Sequence, residues 1–382
     1  MPTPTVASAT WQQVAALRLE RHHLTRRLAA EKLIDVARDL VGIHAQVTSS
    51  AELQFAARVD GIRRGDVRDA IADRRLVKTW AMRGTLHLFA PEDLWRFVAA
   101  WPVRDNTRSP AWLTYFDVTI DQLDAVADAI GDVLDETPRT RAELATEVGE
   151  RVGDPELGAR LTSGWGQFLK PAAGRGLLAF GPDRGRNVTF VSPTRWLGKP
   201  QGKSSDPLTE LGELTDRWLG TFPGASREAA ARWWGIASRP TMTKALAAAK
   251  ADITEVDIEG QKGWVRSSDV DVLTNAEPLR SVRLLPGFDP YVNELPRKTE
   301  ALLPVVREAL VRRTAGWVTP VVLVDGRVEG TWEIGQGAKG GIEVQPFGRL
   351  RGGATTEIKA EAERYAAFLD RPLKARVNKP LT

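Results

Sequence analysis

Leu76-Val77-Lys78-Thr79-Trp80-Ala81-Met82-Arg83-Gly84-Thr85-Leu86-His87-Leu88-Phe89 is the stretch on which the reading of the fold turns. Its apolar runs, Leu76 to Trp80 and Thr85 to Phe89, sit either side of Arg83-Gly84 and predict two short strands. Upstream the apolar spacing is helical: Trp11 to Leu19, then Ala29 onward through Leu33, Val36, Ala37, Leu40 and Val41. Further amphipathic stretches run from Ala51 to Val59 and from Asp66 to Arg74. Helices closed by a hairpin are the order of a winged helix-turn-helix.

The same order returns twice downstream. After an acidic helix around Asp121 to Asp135, Thr140 caps Arg141-Ala142-Glu143-Leu144, with Glu143 in capping-box position. A helix over Leu157 to Lys170 is predicted next. Gly176 to Phe180 and Val188 to Val191 then pair across the polar loop 181–187. A third copy opens with Leu208 to Phe222, continues through Ser226 to Gly235 and Thr241 to Ala251, and closes with Ile253 to Ile258 and Gly263 to Arg266. Beyond Pro278 the pattern is β-rich: Arg280 to Leu285, Val318 to Val324, Val328 to Ile334 and Ile342 to Pro346, with a helix Glu300 to Arg313 and a closing helix Glu357 to Leu369. Asp325-Gly326 is a hairpin signal. The expected fold class is α+β, tandem winged helix-turn-helix units followed by a small β-barrel. Its expected divisions are 1–110, 111–200, 201–277 and 278–382.

Composition narrows the chemistry. The 382 residues contain no Cys and four His, which removes disulfides, thiolate nucleophiles, iron–sulfur clusters and Cys/His zinc sites. Lys and Arg exceed Asp and Glu, 53 to 49, for a net charge of +4. Arg371, Lys374, Arg376 and Lys379 supply that excess within the last twelve residues, so residues 1–370 are neutral in sum. Polyanion binding must therefore come from uneven placement of charge. No segment approaches the roughly 18 apolar residues of a membrane span, and a cytoplasmic protein is expected. The 13 Trp against 3 Tyr read as apolar payload for several small cores.

Gly335-Gln336-Gly337-Ala338-Lys339-Gly340 spells a dinucleotide fingerprint, but Ile342-Glu343-Val344-Gln345-Pro346 follows where a phosphate-holding helix would have to start. It reads instead as a Lys-tipped β-hairpin loop. No Walker A sequence, G-x-S-x-G elbow, H-E-x-x-H or EF-hand loop is present. Among polar residues at apolar positions His44-Ala45-Gln46 stands out. His44 continues the stripe of Leu40 and Val41 and needs a partner if buried. A satisfied core histidine with a neighbouring exposed Gln is the alternative.

Three segments together, Met82 to Leu94, Leu284-Leu285-Pro286-Gly287-Phe288-Asp289-Pro290-Tyr291 and Val322 to Trp332, resemble the winged-helix DNA glycosylases of the AlkZ type. The resemblance implies tandem winged helices with a β-barrel and excision of cationic alkylated purines, bulky or crosslinking adducts included. The family motif is Gln, an apolar residue, then Gln. His44-Ala45-Gln46 matches it with His in first place, and Gln46 carries over directly.

Alkylation at N7 of guanine makes the base cationic, so breaking C1′–N9 releases a neutral leaving group through an oxocarbenium-like state. The protein then has to supply a positioned water and stabilisation at C1′. His44, if neutral at the working pH, accepts a proton from that water, and Gln46 positions water and sugar. No lyase nucleophile is evident, so the expected enzyme is monofunctional. It needs no cofactor and no metal, and works as a monomer on double-stranded DNA carrying alkylated purines, with no membrane partner. The resemblance further implies probing from the duplex side by the 335–341 hairpin, with Gln336 and Lys339. Lys170, Arg184, Arg186, Arg239 and Lys244 are the candidate phosphate contacts. A winged-helix DNA-binding regulator and a non-catalytic lesion sensor are the competing readings.

Overall fold

The computed structural model describes residues 7–162, 164, 166–199, 206–236, 238–335 and 340–381. The hairpin predicted from Leu76 to Phe89 is present: Val77–Trp80 pairs antiparallel with Leu86–Phe89, Val77 opposite Phe89 and Trp80 opposite Leu86. Its connection holds Arg83 at φ 56° and Gly84 at φ 64°, the left-handed region that only Gly enters without steric cost. Gln336 and Lys339 lie outside the described residues.

The chain divides into two units, each discontinuous in sequence. One comprises residues 68–214 and 231–250. In it the strand order is Leu86–Phe89, Val77–Trp80, Ala179–Arg184, Asn187–Val191, Arg139–Thr140. Lys78 lies opposite Phe180, so the hairpins of the first two predicted copies fuse edge to edge into one sheet. Pairing of this kind removes two exposed strand edges. Helices Ile120–Val133 and Arg141–Val152 pack on this sheet through Leu123, Val126, Ile130, Leu144 and Val148, which meet Phe180 and Phe190. The capping box at Thr140 forms as its spelling predicts: Glu143 N donates to Thr140 Oγ1 at 3.3 Å and Thr140 N to Glu143 Oε2 at 2.7 Å. Such a cap contributes about 1 kcal/mol.

Two predicted elements differ here. Instead of one helix over Leu157 to Lys170 there are short turns, Pro155–Ala159, Arg160–Thr162 and Lys170–Gly174. Gly164 and Gly166 interrupt it at φ 61° and 72°, and Gly costs about 1 kcal/mol in a helix. The polar loop 181–187 mostly continues the strands, leaving Gly185-Arg186 as the turn, with a bulge between Gly181 and Arg184.

The other unit comprises residues 1–67, 215–230 and 251–382. Strand Ile253–Ile258 pairs antiparallel with Gln261–Arg266, as predicted, and on its other side with the short N-terminal strand Ser8–Ala9 in parallel. A five-stranded sheet follows in the order Val282–Leu285, Val321–Val324, Arg327–Ile334, Ile342–Pro346, Ala375–Val377. Val282–Leu285 and Ala375–Val377 are its edges among the described residues. The Asp325-Gly326 turn has φ 52° and 84°, the two positive values of a type I′ hairpin. The basic C-terminal stretch is not a free arm: it supplies the fifth strand, parallel to Ile342–Pro346. Helix Ala354–Leu369 covers the first strand, and Tyr365 donates its hydroxyl to Leu284 O at 2.5 Å. The predicted helix Glu300 to Arg313 is only Glu308–Val311 preceded by one 3-10 turn, because Pro304 stops a helix from entering from upstream. The apolar core of this unit joins Trp11, Val14 and Leu19 of helix Trp11–Arg21 to Leu285, Tyr291, Val321, Leu323 and Val328.

Candidate active site

His44 does not continue a helix. Helix Leu33–Asp39 ends at Leu40, and Val41 and Gly42 take φ 54° and 102°. Gly42 N then bonds back to Ala37 O at 2.9 Å, a reversal that satisfies the last carbonyls of the helix. A β-branched Val at positive φ is a genuine outlier, and it is what turns Ile43–His44 into an extended segment. The apolar spacing through Leu40 and Val41 therefore misassigned the element, though it placed His44 correctly in the interior.

The imidazole is 7% exposed and lies flat against Phe288, ring centroids 4.8 Å apart and planes inclined by 21°. Phe288 has φ 60°, a conformation costing a non-Gly residue roughly 1–2 kcal/mol. The flanking contacts hold it there. Ser50 donates its hydroxyl to Gly287 O, and Asn293 Nδ2 donates to Phe288 O at 3.0 Å. Asp289 receives both terminal nitrogens of Arg58, at 2.7 and 2.8 Å, with both side chains wholly buried. Asp289 also accepts from Tyr291 N at 3.0 Å, capping the short helix Pro290–Asn293.

The other side of His44 is held through its own backbone. Gln54, on helix Thr48–Ala56, donates Nε2 to His44 O at 3.1 Å, and Arg58 Nη1 donates to Gln54 O at 3.0 Å. A closed circuit results: His44 on Phe288, Phe288 next to Asp289, Asp289 on Arg58, Arg58 on Gln54, Gln54 back to His44. Gln46 is half-buried two residues farther on. Trp317 meets Phe288 edge-on, centroids 4.9 Å apart, and is 49% exposed. An imidazole edge and a carboxamide on one short connection, backed by aromatic rings, can orient a water and take its proton.

Sequence reasoning missed Gln54, Arg58, Phe288 and Asp289 as supports. Phe288-Asp289 lies within the stretch Leu284 to Tyr291 that carries the family resemblance, so a signal existed. Arg58 carried none, since nothing in its spacing distinguishes a buried Arg from a solvated one.

The five basic candidates all belong to the unit of residues 68–214 and 231–250, whereas His44 and Gln46 belong to the other. Arg186, Arg239 and Lys244 are exposed. Arg184 is turned onto its own unit, donating to Glu143 Oε1 at 2.8 Å and to Pro138 O. Lys170 is half-buried and donates to Gln167 Oε1 at 3.1 Å. The connection that should carry Gln336 and Lys339 is closed at its base by Gly335 N to Gly341 O at 2.9 Å, and Arg371 donates to Gly335 O and Gly340 O at 3.0 Å each. It joins strands Arg327–Ile334 and Ile342–Pro346, so no helix follows the glycines.

Residues 37–368 match the family model described as DNA glycosylase AlkZ-like. The interstrand DNA cross-link repair glycosylase of Streptomyces sahachiroi is 37% identical over 328 residues, 85% of this chain and 88% of that protein. The solved structure of Streptomyces sahachiroi DNA glycosylase AlkZ superposes with a TM-score of 0.87 at 35% identity, covering 97% of this chain and all of that one.

Proposed function

Because this chain belongs to the AlkZ-like DNA glycosylase family, and is thus a DNA glycosylase, we propose that its substrates are N7-alkylated purines in duplex DNA, bulky natural-product guanine adducts among them. The relative named for interstrand cross-link repair supports the bulky end of that range.

In the proposed reaction water attacks C1′ as the C1′–N9 bond breaks. The bond's electron pair returns to the purine ring and neutralises the N7 cation, and the water's proton passes to the His44 imidazole. Gln46 holds the water's second hydrogen through its amide oxygen and orients the sugar. The product is an abasic site and a neutral modified base, with no covalent enzyme intermediate. The 335–341 connection and exposed cations such as Arg186, Arg239 and Lys244 contact the duplex, fixing register and affinity rather than lesion choice.

The observation carrying this reading is the clamping of His44 between Phe288 and the Gln54 amide, since a general base must be held in one geometry to act. Duplex containing N7-methylguanine, incubated with enzyme and then cleaved by alkali, provides the test. His44→Ala and Gln46→Ala are expected to lower single-turnover excision by about 100-fold or more, assayed below the melting temperature of each variant so that loss of packing around the buried His44 is not read as loss of chemistry. Excision at wild-type rate by both variants sinks the assignment. Family membership removes the regulator reading. A lesion sensor would leave no more alkali-labile sites than the same duplex incubated without protein.

A further inference from the structure

Of the three rings that meet at His44, one keeps a surface to offer. His44 and Phe288 are stacked on each other and buried, whereas Trp317, edge to face with Phe288 at 4.9 Å and 73°, is half exposed. Tryptophan in this composition reads as core payload, and Trp317 departs from that reading. Its turn explains how the indole stays in place. Ala315 and Gly316 take φ 56° and 73° in succession, and an Ala in the left-handed region is strained unless its surroundings impose it. Here they do: Arg313 N donates to Trp317 O at 2.8 Å, Trp317 N to Thr314 O at 3.3 Å and Thr319 N to Val311 O at 2.9 Å. Val318, the next residue, is buried in the core of its unit. Its carbonyl covers Gly287 so closely that a Cβ there would stand 2.8 Å from Val318 O. The backbone beside the indole is thus fixed on the Gly287-Phe288 segment that backs His44. Residues 311–320 hold two arginines and no acid. Arg312 is engaged by Glu308 and by the Val292 and Leu295 carbonyls, while Arg313 is exposed. An exposed indole beside an exposed cation suits a partner made of aromatic faces and phosphates, which is to say nucleic acid.

We propose that Trp317 is a specificity-determining residue whose π face receives the cationic ring of the N7-alkylated purine. Among aromatic side chains Trp attracts a cation most strongly, and a ring already fixed by its turn gives up little freedom on binding. Unmodified guanine is neutral and stacks on an indole without that attraction, so the contact separates lesion from ordinary base. The charge leaves the purine as C1′–N9 breaks. The contact therefore acts in recognition, and activation of water stays with His44 and Gln46. The proposal rests on the reading of N7-alkylpurines as the substrates.

Two duplexes that resist hydrolysis and differ in the charge of one base read this contact by fluorescence anisotropy. Both carry a 2′-fluoro sugar at the lesion; one bears N7-methylguanine, the other its neutral isostere 7-methyl-7-deazaguanine. Wild type is expected to bind the cationic duplex more tightly. Trp317→Leu lowers affinity for that duplex by about fivefold and closes the gap between the two. Trp317→Phe, which keeps a ring beside Phe288, retains part of the gap. A role confined to packing Phe288, or to stacking on any base, weakens both duplexes equally. A gap that survives in Trp317→Leu, whether affinity falls on both duplexes or on neither, therefore overturns the proposal, as does equal binding of the two by wild type. Should Trp317→Leu fail to fold, an undiminished gap in Trp317→Phe overturns it instead. Excision of N7-methylguanine from an ordinary deoxyribose duplex separates the two levels of failure. If wild type excises it, only the role of Trp317 has failed; if it does not, the reading of the substrate fails as well.

Discussion

Phe288 shows how one residue's conformation is held by its neighbours. Left alone, a Phe at φ 60° relaxes, and the ring that backs His44 would move with it. Asp289 prevents this by accepting from Arg58 in a bidentate, fully buried pair. Such a pair adds little net stability against an apolar substitute of equal volume, but removing one partner leaves a buried charge uncompensated. Asp289→Asn is therefore expected to cost about 3–5 kcal/mol in urea unfolding. Substituting Arg58→Met together with Asp289→Leu should recover most of that stability. If the double variant recovers stability but not excision, the pair acts by positioning Phe288 and His44. The His44 position was legible as an interior polar residue; its support was not, since Asp289 and Arg58 are 231 residues apart.

Among the elements, close backbone approach decides which glycines matter. Gly158, in the short helix Pro155–Ala159, faces Gly149 of helix Arg141–Val152, and a Cβ there would stand 2.5 Å from the Gly149 Cα and 2.6 Å from Ala145 O. Gly158→Ala is expected to cost about 1–3 kcal/mol by overpacking, seen as a lowered melting temperature. Gly326 of the 321–334 hairpin combines φ 84° with a virtual Cβ 2.6 Å from the Ala15 Cβ. Gly326→Ala should thus be destabilising by at least the ~1 kcal/mol of a left-handed Ala, and thermal unfolding checks it. By contrast Gly153, φ 71°, has nothing near its Cβ position. Gly153→Ala should cost only the backbone term. The four hairpins 77–89, 179–191, 253–266 and 321–334 and the Thr140 cap were readable because strand alternation and caps depend on residues a few positions apart. The helices over Leu157 to Lys170 and Glu300 to Arg313 were not, because apolar periodicity outvoted the glycines and Pro304.

For the whole molecule, one contribution to acid stability comes from a buried histidine outside the proposed chemistry. His22 is fully buried, its Nε2 3.0 Å from Thr221 O and its ring edge-on to Phe222 and Tyr291. Burial, then the charges of Arg58 and Arg18, hold its pKa well below the ordinary 6.5. The unfolded chain gains a proton near 6.5 that the native chain refuses. Stability is therefore full above about 6.5 and lost as pH falls from there toward the depressed native value, by up to about 1.4 kcal/mol per pH unit. Urea midpoints between pH 7 and 5 should fall more steeply for wild type than for His22→Gln. Parallel slopes would rule His22 out as the titrating group.

Local order determined much of this protein from the sequence alone: the alternation that makes each hairpin, the Asp325-Gly326 turn, the capping box at Thr140, the absence of thiol chemistry, and the segments that place the chain among the AlkZ-type glycosylases. These features depend on neighbours in the chain, where the physics is short-ranged. What only the tertiary structure decided is how distant segments meet: that the hairpins 77–89 and 179–191 fuse into one sheet, and that Arg58 finds Asp289. Those pairings arise from burial and charge compensation in three dimensions, to which the spacing of residues along one strand or helix is blind.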